Sequence, residues 1–339
     1  GNPVHKVKPG VDLKDDYLDE QVDDSAFTRL EAVPGAYFEY SYSCDSSKFG
    51  AILGLRFDYH NLFGWLWTPR ANLKYNFTDD FIVRFSAGKG YRTPNVYADN
   101  LGLFVSAKEL VILEKPKMEE AWNGGVNLTT RFRLFRREGS LMLDAYRTYF
   151  IQQWMVDQYS SSEVVSFYNL NGQSTANSLQ ATLTYEPILG VTTKFAWRLD
   201  DVKADYTGLP DQVKPLIARN KMLFNLAIAD RKEKWKFDAT LQWEGPKPLP
   251  LSAGHSHTGD TQNALKSSPD YYQLMAQVTR VFRVWEVYLG GENLLNYTQH
   301  QVILGSDNPF GTDFDATQVW GPVMGIRIYA GIRLNITKI

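Results

Sequence analysis

The stretch Trp235-Lys236-Phe237-Asp238-Ala239-Thr240-Leu241-Gln242-Trp243-Glu244 decides the fold. Every odd-numbered side chain is apolar and every even-numbered one is polar or charged, the period of an extended strand that greases one face and wets the other. The same period sets Ala71, Leu73, Tyr75 and Phe77 against Asn72, Lys74 and Asn76. It also sets Ile326, Ile328, Ala330, Ile332, Leu334 and Ile336 against Arg327, Tyr329, Gly331, Arg333 and Asn335. A soluble antiparallel sheet packs such a face on a core and a membrane barrel turns it to lipid, so alternation alone fits both.

The connections separate the two. Tight polar turns near 282–284, 230–234, 186–190, 136–139, 77–81 and 44–48 alternate with long Gly/Pro/Asp-rich connections at 296–324, 245–269, 201–219 and 90–119, and a shorter one near 160. Short turns at one rim and long loops at the other are the wiring of a transmembrane β-barrel. Aromatic residues gather near strand ends, as in Trp235 with Trp243, Phe77 with Phe81, and Tyr271, Tyr272 and Phe282, which suits interfacial girdles. The stretches 140–157, 164–185 and 191–206 each exceed the roughly 9 to 11 residues that cross a bilayer, as strands do when they extend past the membrane on the loop side.

This reading predicts an all-β fold, an antiparallel transmembrane β-barrel of roughly 13 or 14 strands. They fall at 35–44, 49–60, 66–77, 81–90, 120–133, 139–157, 163–186, 191–206, 219–230, 234–244, 270–282, 284–294 and 325–337. That is an odd set, whereas single-chain bacterial barrels close on even numbers. Residues 1–34, rich in Asp and Glu and carrying Pro3, Pro9 and Pro34, read as loop. The expected division is therefore a loop-like segment 1–34 and a barrel portion 35–339 belonging to something larger.

Composition agrees. The chain of 339 residues is 44% apolar and 14% aromatic with a net charge of -2, and it holds no apolar run near the roughly 20 residues of a membrane-spanning helix. A mean hydropathy of -0.33 is compatible with a barrel, which greases only every second residue. The near-neutral charge gives no clustered basic surface for nucleic acid, so that partner class is set aside. Cys44 is the only cysteine, which leaves no disulfide framework and no cysteine metal knuckle.

Six segments, in order, resemble the TonB-dependent outer-membrane receptors of bacteria, in particular their Bacteroidetes type. Ser86-Ala87-Gly88-Lys89-Gly90-Tyr91-Arg92-Thr93-Pro94-Asn95 is similar to that family's strand-to-loop segment, and Met118-Glu119-Glu120-Ala121-Trp122-Asn123-Gly124-Gly125-Val126-Asn127-Leu128 to the strand that follows. Asp144 to Gln153 and Phe167 to Gly172 are similar to the next two strands. Gly291-Glu292-Asn293-Leu294-Leu295-Asn296-Tyr297 resembles the penultimate strand and Gly321 to Gly331 the last. The resemblance implies the C-terminal portion of a barrel of about 22 strands. It also implies a plug domain inside that barrel, a TonB-contacting box ahead of the plug, and an outer-membrane location. The plug, the box and the remaining strands have no counterpart here. The ending Asn335-Ile336-Thr337-Lys338-Ile339 departs from the aromatic terminus usual in such barrels.

Candidate binding residues follow from position. Tyr91, Arg92, Tyr97, Trp154 and Tyr159 fall near the loop-side mouth, where amphipathic rings and a guanidinium grip a bulky polar ligand; the alternative is rim packing and loop anchoring. His255 and His257 flank Ser256, and in an extended chain both imidazoles point the same way, as a metal or haem pair requires, but no third ligand stands nearby. Asp307, Asp313 and Asp315 lack the spacing of an EF-hand and read as an acidic loop. Gly88 and Gly90 lack the ending of a phosphate loop and open onto no helix. No Ser, His and Asp set suggests a triad, so no catalytic residue, metal or cofactor is expected.

The expected function is outer-membrane capture and TonB-driven import of a bulky scarce nutrient, a siderophore, cobalamin or haem, with outer-membrane lipid and that ligand as partners. The plug, the missing strands and TonB would engage through regions outside this chain. Two alternatives stand beside it. One is a complete small passive porin, which requires a strand hidden within residues 1–34, and the other an outer-membrane barrel hydrolase with rim residues as catalysts.

Overall fold

The computed structural model describes residues 4–22, 25–43, 48–251 and 267–334. The first strands are β1 (Val4–Val22), β2 (Ser25–Ser43), β3 (Phe49–His60), β4 (Gly64–Asn76) and β5 (Phe81–Arg92). A 3-10 helix (Ala98–Val105) and β6 (Glu109–Ile112) follow, then β7 (Glu119–Leu134), β8 (Arg137–Gln152), β9 (Trp154–Asp157) and β10 (Val164–Asn169). The chain continues through β11 (Ser174–Ile188), β12 (Val191–Tyr206), β13 (Leu209–Val213) and β14 (Asn220–Ala229). It ends with β15 (Trp235–Glu244), β16 (Tyr271–Val281), β17 (Trp285–Glu292) and β18 (Arg327–Leu334).

One antiparallel sheet takes almost all of them, in the order β1-β2-β3-β4-β5-β7-β8-β11-β12-β14-β15-β16-β17-β18, with β13 attached to β12. The path follows chain order, skipping only β6, β9, β10 and β13, the meander of an up-and-down barrel. Among the described residues the path does not close: β1 pairs with β2 and β18 with β17, so the wall is a portion of a barrel. No described helix is long and apolar enough to cross a membrane.

The sheet is inside out relative to a soluble protein. Leu53, Phe57, Phe224, Leu289 and Ile332 all stand exposed on one face of their strands, while the buried apolar clusters lie in the loops and the loop-side ends of β12 and β16. Among the described residues nothing covers that greasy face, which is the face a barrel gives to lipid. Aromatic belts mark its two margins. At the loop side Trp67 meets Trp122 edge-on at 6.2 Å, and the Trp197 and Trp243 indoles donate to Asn220 and Asp270. At the turn side Phe77 stacks on Phe81 and Phe282 on Trp285.

The turn-side links are tight, as expected. The β7–β8 link is two residues, Phe135 and Arg136, both with positive φ, the geometry of the turn that matches strand twist. In the β4–β5 turn the Thr78 hydroxyl accepts the amide of Phe81. The expected turn at 44–48 falls largely outside the described residues. One loop-side link is short, Asn61–Phe63 between β3 and β4, against the long connections expected at that rim.

Three corrections concern strands. The segment 1–34, expected as loop, holds β1 and the first half of β2, so the main path has an even number of strands. Pro9 and Pro34 are placed where they cost little. Pro9 lies on an end strand, and Pro34 stands one residue before the β2–β3 register begins at Gly35. Second, 139–157 is not one strand, because the chain breaks at Gln153 and leaves the wall as β9. Third, 163–186 divides into β10 and β11 around Gly172, whose φ of 142° suits glycine alone.

Candidate functional site

The long loops fold together rather than waving free. β6, β10 and β9 make a separate small sheet, parallel between β6 and β10 and antiparallel between β10 and β9. Beneath it Val96, Tyr97, Leu103, Trp154, Val165 and Phe167 form a buried cluster. A second cluster joins Met155, Tyr168, Ala204 and Tyr206, and a third Leu249, Tyr271 and Trp320.

Hydrogen bonds then tie loops from distant strands. The amide of Ala107 donates to Phe314 O at 2.8 Å and that of Ala316 to Val105 O at 3.0 Å, joining the β5–β7 loop to the β17–β18 loop. Lys108 Nζ, buried, donates to Leu251 O at 2.5 Å and pairs with Asp315 at 3.4 Å. Lys247 Nζ donates to Trp320 O at 2.6 Å, and burial holds its ammonium below the usual lysine range. The Gln299 side-chain amide donates to Gln318 O and accepts from the amides of Trp320 and Gly321. The outer rim therefore carries one interlocked cap.

Under the β1–β5 side of this cap lies a polar cavity of about 250 Å³, walled by Lys14, Asp16, Arg29, Glu31, Val33, Arg56, His60, Tyr91, Arg92, Thr93 and Asn95. Glu31, 2% exposed, meets Arg29 Nε at 2.7 Å, His60 Nε2 at 3.4 Å and Lys14 Nζ at 3.6 Å. Asp58 takes Arg56 Nη2 at 2.7 Å and the Tyr91 hydroxyl at 2.7 Å, while Arg56 also reaches Asp12 at 2.9 Å. Arg92 is bracketed by Glu119 at 2.7 Å and Asp99 at 3.0 Å. Its side chain and that of Lys14, which also pairs with Asp16, are the most exposed cations here, at 60% and 59%.

These pairs lie flat along the inner wall because the strand beneath them lacks a side chain. A Cβ built on Gly35 would overlap Asp58 Oδ1 and stand 2.8 Å from Arg56 Nη2 and 2.9 Å from Asp12 Oδ1. The next tier down repeats the arrangement, with Glu39 held between Arg70 and Lys8.

His60 accepts the amide of Leu62 at Nδ1, so its other nitrogen faces both Thr93 Oγ1 and Glu31 at 3.4 Å. A catalytic triad needs its carboxylate and its nucleophile on opposite imidazole nitrogens, and here both share Nε2. The cluster is a structural ion-pair network.

The expected binding residues part into two groups. Tyr91 and Arg92 come together in the polar cavity. Tyr97 and Trp154 are buried in the loop core, though Trp154 also borders a second cavity of about 310 Å³ with Asn100, Lys203, Lys214 and Thr317. Tyr159 donates to Val213 O at 2.6 Å, and burial pushes its hydroxyl up to about 12. His255 and His257 lie outside the described residues. Asp315 accepts the Thr317 amide at 2.8 Å besides facing Lys108, and among the described residues no three His, Cys, Asp or Glu converge to hold a metal.

Sequence reading missed Lys14, Arg29, Glu31 and His60. A signal was present: Val7, Pro9, Val11 and Leu13 alternate with Lys6, Lys8, Gly10, Asp12 and Lys14.

Comparison with known proteins places this geometry. The profile described as TonB dependent receptor-like, beta-barrel, matches residues 7–294. A 74-residue stretch is 32% identical to the probable TonB-dependent siderophore receptor PirA of Acinetobacter baumannii, covering 22% of this chain and 10% of that protein. A 55-residue stretch is 33% identical to the ferrienterobactin receptor of Escherichia coli, covering 16% of this chain and 7% of that one. Among solved structures, a variant of the ferric enterobactin receptor PfeA from Pseudomonas aeruginosa superposes with a TM-score of 0.69 at 14% identity, over 97% of this chain and 51% of that one. The copper transporter OprC superposes equally, with a TM-score of 0.69 at 14% identity over 97% and 53%. The chain thus spans about half the length of these solved structures, and at such identity the likeness speaks for the fold.

Proposed function

The chain belongs to the TonB-dependent receptor family of outer-membrane β-barrels, and from that premise we propose that it is the C-terminal wall and ligand-capturing rim of a receptor that imports a bulky, scarce metal chelate. The observation that carries the reading is the cap: loops rising from β5, β8, β15 and β17 are locked together over a charged inner wall. A passive pore gains nothing from such a closure, whereas a receptor that captures first and translocates later needs it.

Of the nutrient classes considered, a siderophore is favoured over cobalamin or haem, because both curated relatives carry siderophore-receptor names. Arg92 and Lys14 supply solvent-exposed cations that an anionic chelate could share with their carboxylate partners, and Tyr91 beside them supplies a ring. In the whole receptor a plug domain would fill the lumen against the charged face of β1 to β4, and TonB would act through a segment ahead of the plug. Outer-membrane lipid is the partner of the apolar face.

The test uses the full-length receptor in cells lacking other siderophore receptors, supplied with radiolabelled iron chelates. Uptake abolished by a protonophore is expected, and Arg92→Ala should weaken chelate binding about tenfold, measured by fluorescence titration of the purified receptor. Uptake indifferent to the protonophore would leave the passive pore as the reading.

A further inference from the structure

One charged side chain breaks the apolar face at the turn-side end of β16. Register places Tyr272, Leu274, Ala276, Val278 and Arg280 on the lipid side of this strand, opposite Trp243, Leu241, Ala239, Phe237 and Trp235 of β15. Val287 and Leu289 flank the same face from β17. On the lipid side of β15 to β18, Arg280 is the single charge among the described residues.

Its guanidinium is held by rings, 4.7 Å above the Trp235 centroid and 5.7 Å from that of Phe282. Phe282 in turn stacks on Trp285 at 4.0 Å. Among the described residues no carboxylate lies within ion-pair distance of Arg280. Asp230, which feels Arg280 electrostatically, uses its carboxylate to accept the Trp235 amide at 2.8 Å and to cap the turn. Arg231, Lys232, Lys234 and Arg283 add positive charge in the two adjoining turns, against Glu233 and Asp230.

A cation on a lipid-facing wall is costly unless it meets a counter-charge at the interface. The turn-side rim of an outer-membrane barrel faces the periplasm, where the leaflet consists of glycerophospholipids. Aromatic rings at headgroup depth supply the apolar bed, and a planar guanidinium supplies paired donors matched to phosphate oxygens. We propose that Arg280, seated between Trp235 and Phe282, is a binding site for the phosphodiester headgroup of a phospholipid in the periplasmic leaflet. The lipid would fix the depth of the barrel on this side and lay its acyl chains over Val278 and Leu289.

The experiment compares the full-length receptor with Arg280→Gln and with Lys236→Gln, which removes the same charge one strand away on the opposite, lumenal face. Each is purified in nonionic detergent, checked for heat-resistant folding on gels, and titrated with phosphatidylglycerol under native mass spectrometry. Wild type and Lys236→Gln should retain one phosphatidylglycerol that Arg280→Gln binds about fivefold more weakly. Equal retention by all three proteins overturns the site, as does full displacement of the lipid by inorganic phosphate alone, which would make the arginine a general oxyanion trap. If Arg280→Gln does not fold, Trp235→Leu carries the test: it keeps the charge but removes the ring that aims it, and undiminished retention there overturns the proposal.

Discussion

The wall from β1 to β4 and the wall from β14 to β16 obey the same alternation but spend their inner faces differently. Inside the first, Lys8, Asp12, Lys14, Glu31, Glu39, Arg56, Asp58 and Arg70 are joined in tiers of ion pairs laid over glycine. Inside the second, Asn225 donates to Asp238 and Thr240, and Gln277 to Thr279, and the charges among the described residues are fewer: Lys221 paired with Glu244, with Lys236 and Asp238. Charge therefore does not disqualify a strand. It disqualifies one only when its charges have no opposite sign within reach on the same face.

The comparison can be broken most directly at Glu31. Glu31→Gln strands Arg29 and Lys14 around a neutral amide in a buried site, and should cost about 3 kcal/mol in reversible urea unfolding of the refolded barrel. A loss under about 1 kcal/mol would mean that the tiers contribute no more than surface pairs do. Gly35→Ala should cost about 2 kcal/mol by displacing Asp58 and Arg56, read as a lower temperature of heat modification on gels. The counterpart in the other wall, Asp238→Asn, keeps its hydrogen bonding to Asn225 and should shift stability by less than about 0.5 kcal/mol in the same assays. The smallest effect is a titration. Burial raises the Tyr159 hydroxyl to about 12 and the Tyr168 hydroxyl in the same direction. The unfolded chain releases these protons near pH 10, so the cap keeps its full stability below that pH and loses it as pH rises through about 12. Tyrosinate absorbance of the folded receptor should show a late-titrating fraction, and its absence would mean an open cap.

Legibility followed the same division. The strand 234–244 was readable because its inner face is polar without proline, and its outer face begins and ends in tryptophan. β1 was not, since Asp, Lys and proline each count against a strand when read singly. Only the pairing of Lys14 with Glu31, or of Asp12 with Arg56, shows those charges to be internal. At the mouth, Tyr91 and Arg92 were singled out by their place at the end of β5, and both line the polar cavity. Tyr97, Trp154 and Tyr159 lie equally close in sequence to the rim, but the loops turn inward on themselves and take these rings for their own packing. That folding depends on contacts between loops far apart in the chain, which local pattern does not carry.

The joint between residues 105–107 and 314–316 sets an order of assembly. Its two sides leave the wall at β5 and β17, and every strand laid down between them must be in register before the segments can meet. Such a contact has one of the largest sequence separations in the chain, so its loop-closure entropy is recovered only after the intervening sheet exists. The mouth is then the last part to take shape, and a formed mouth certifies a finished wall.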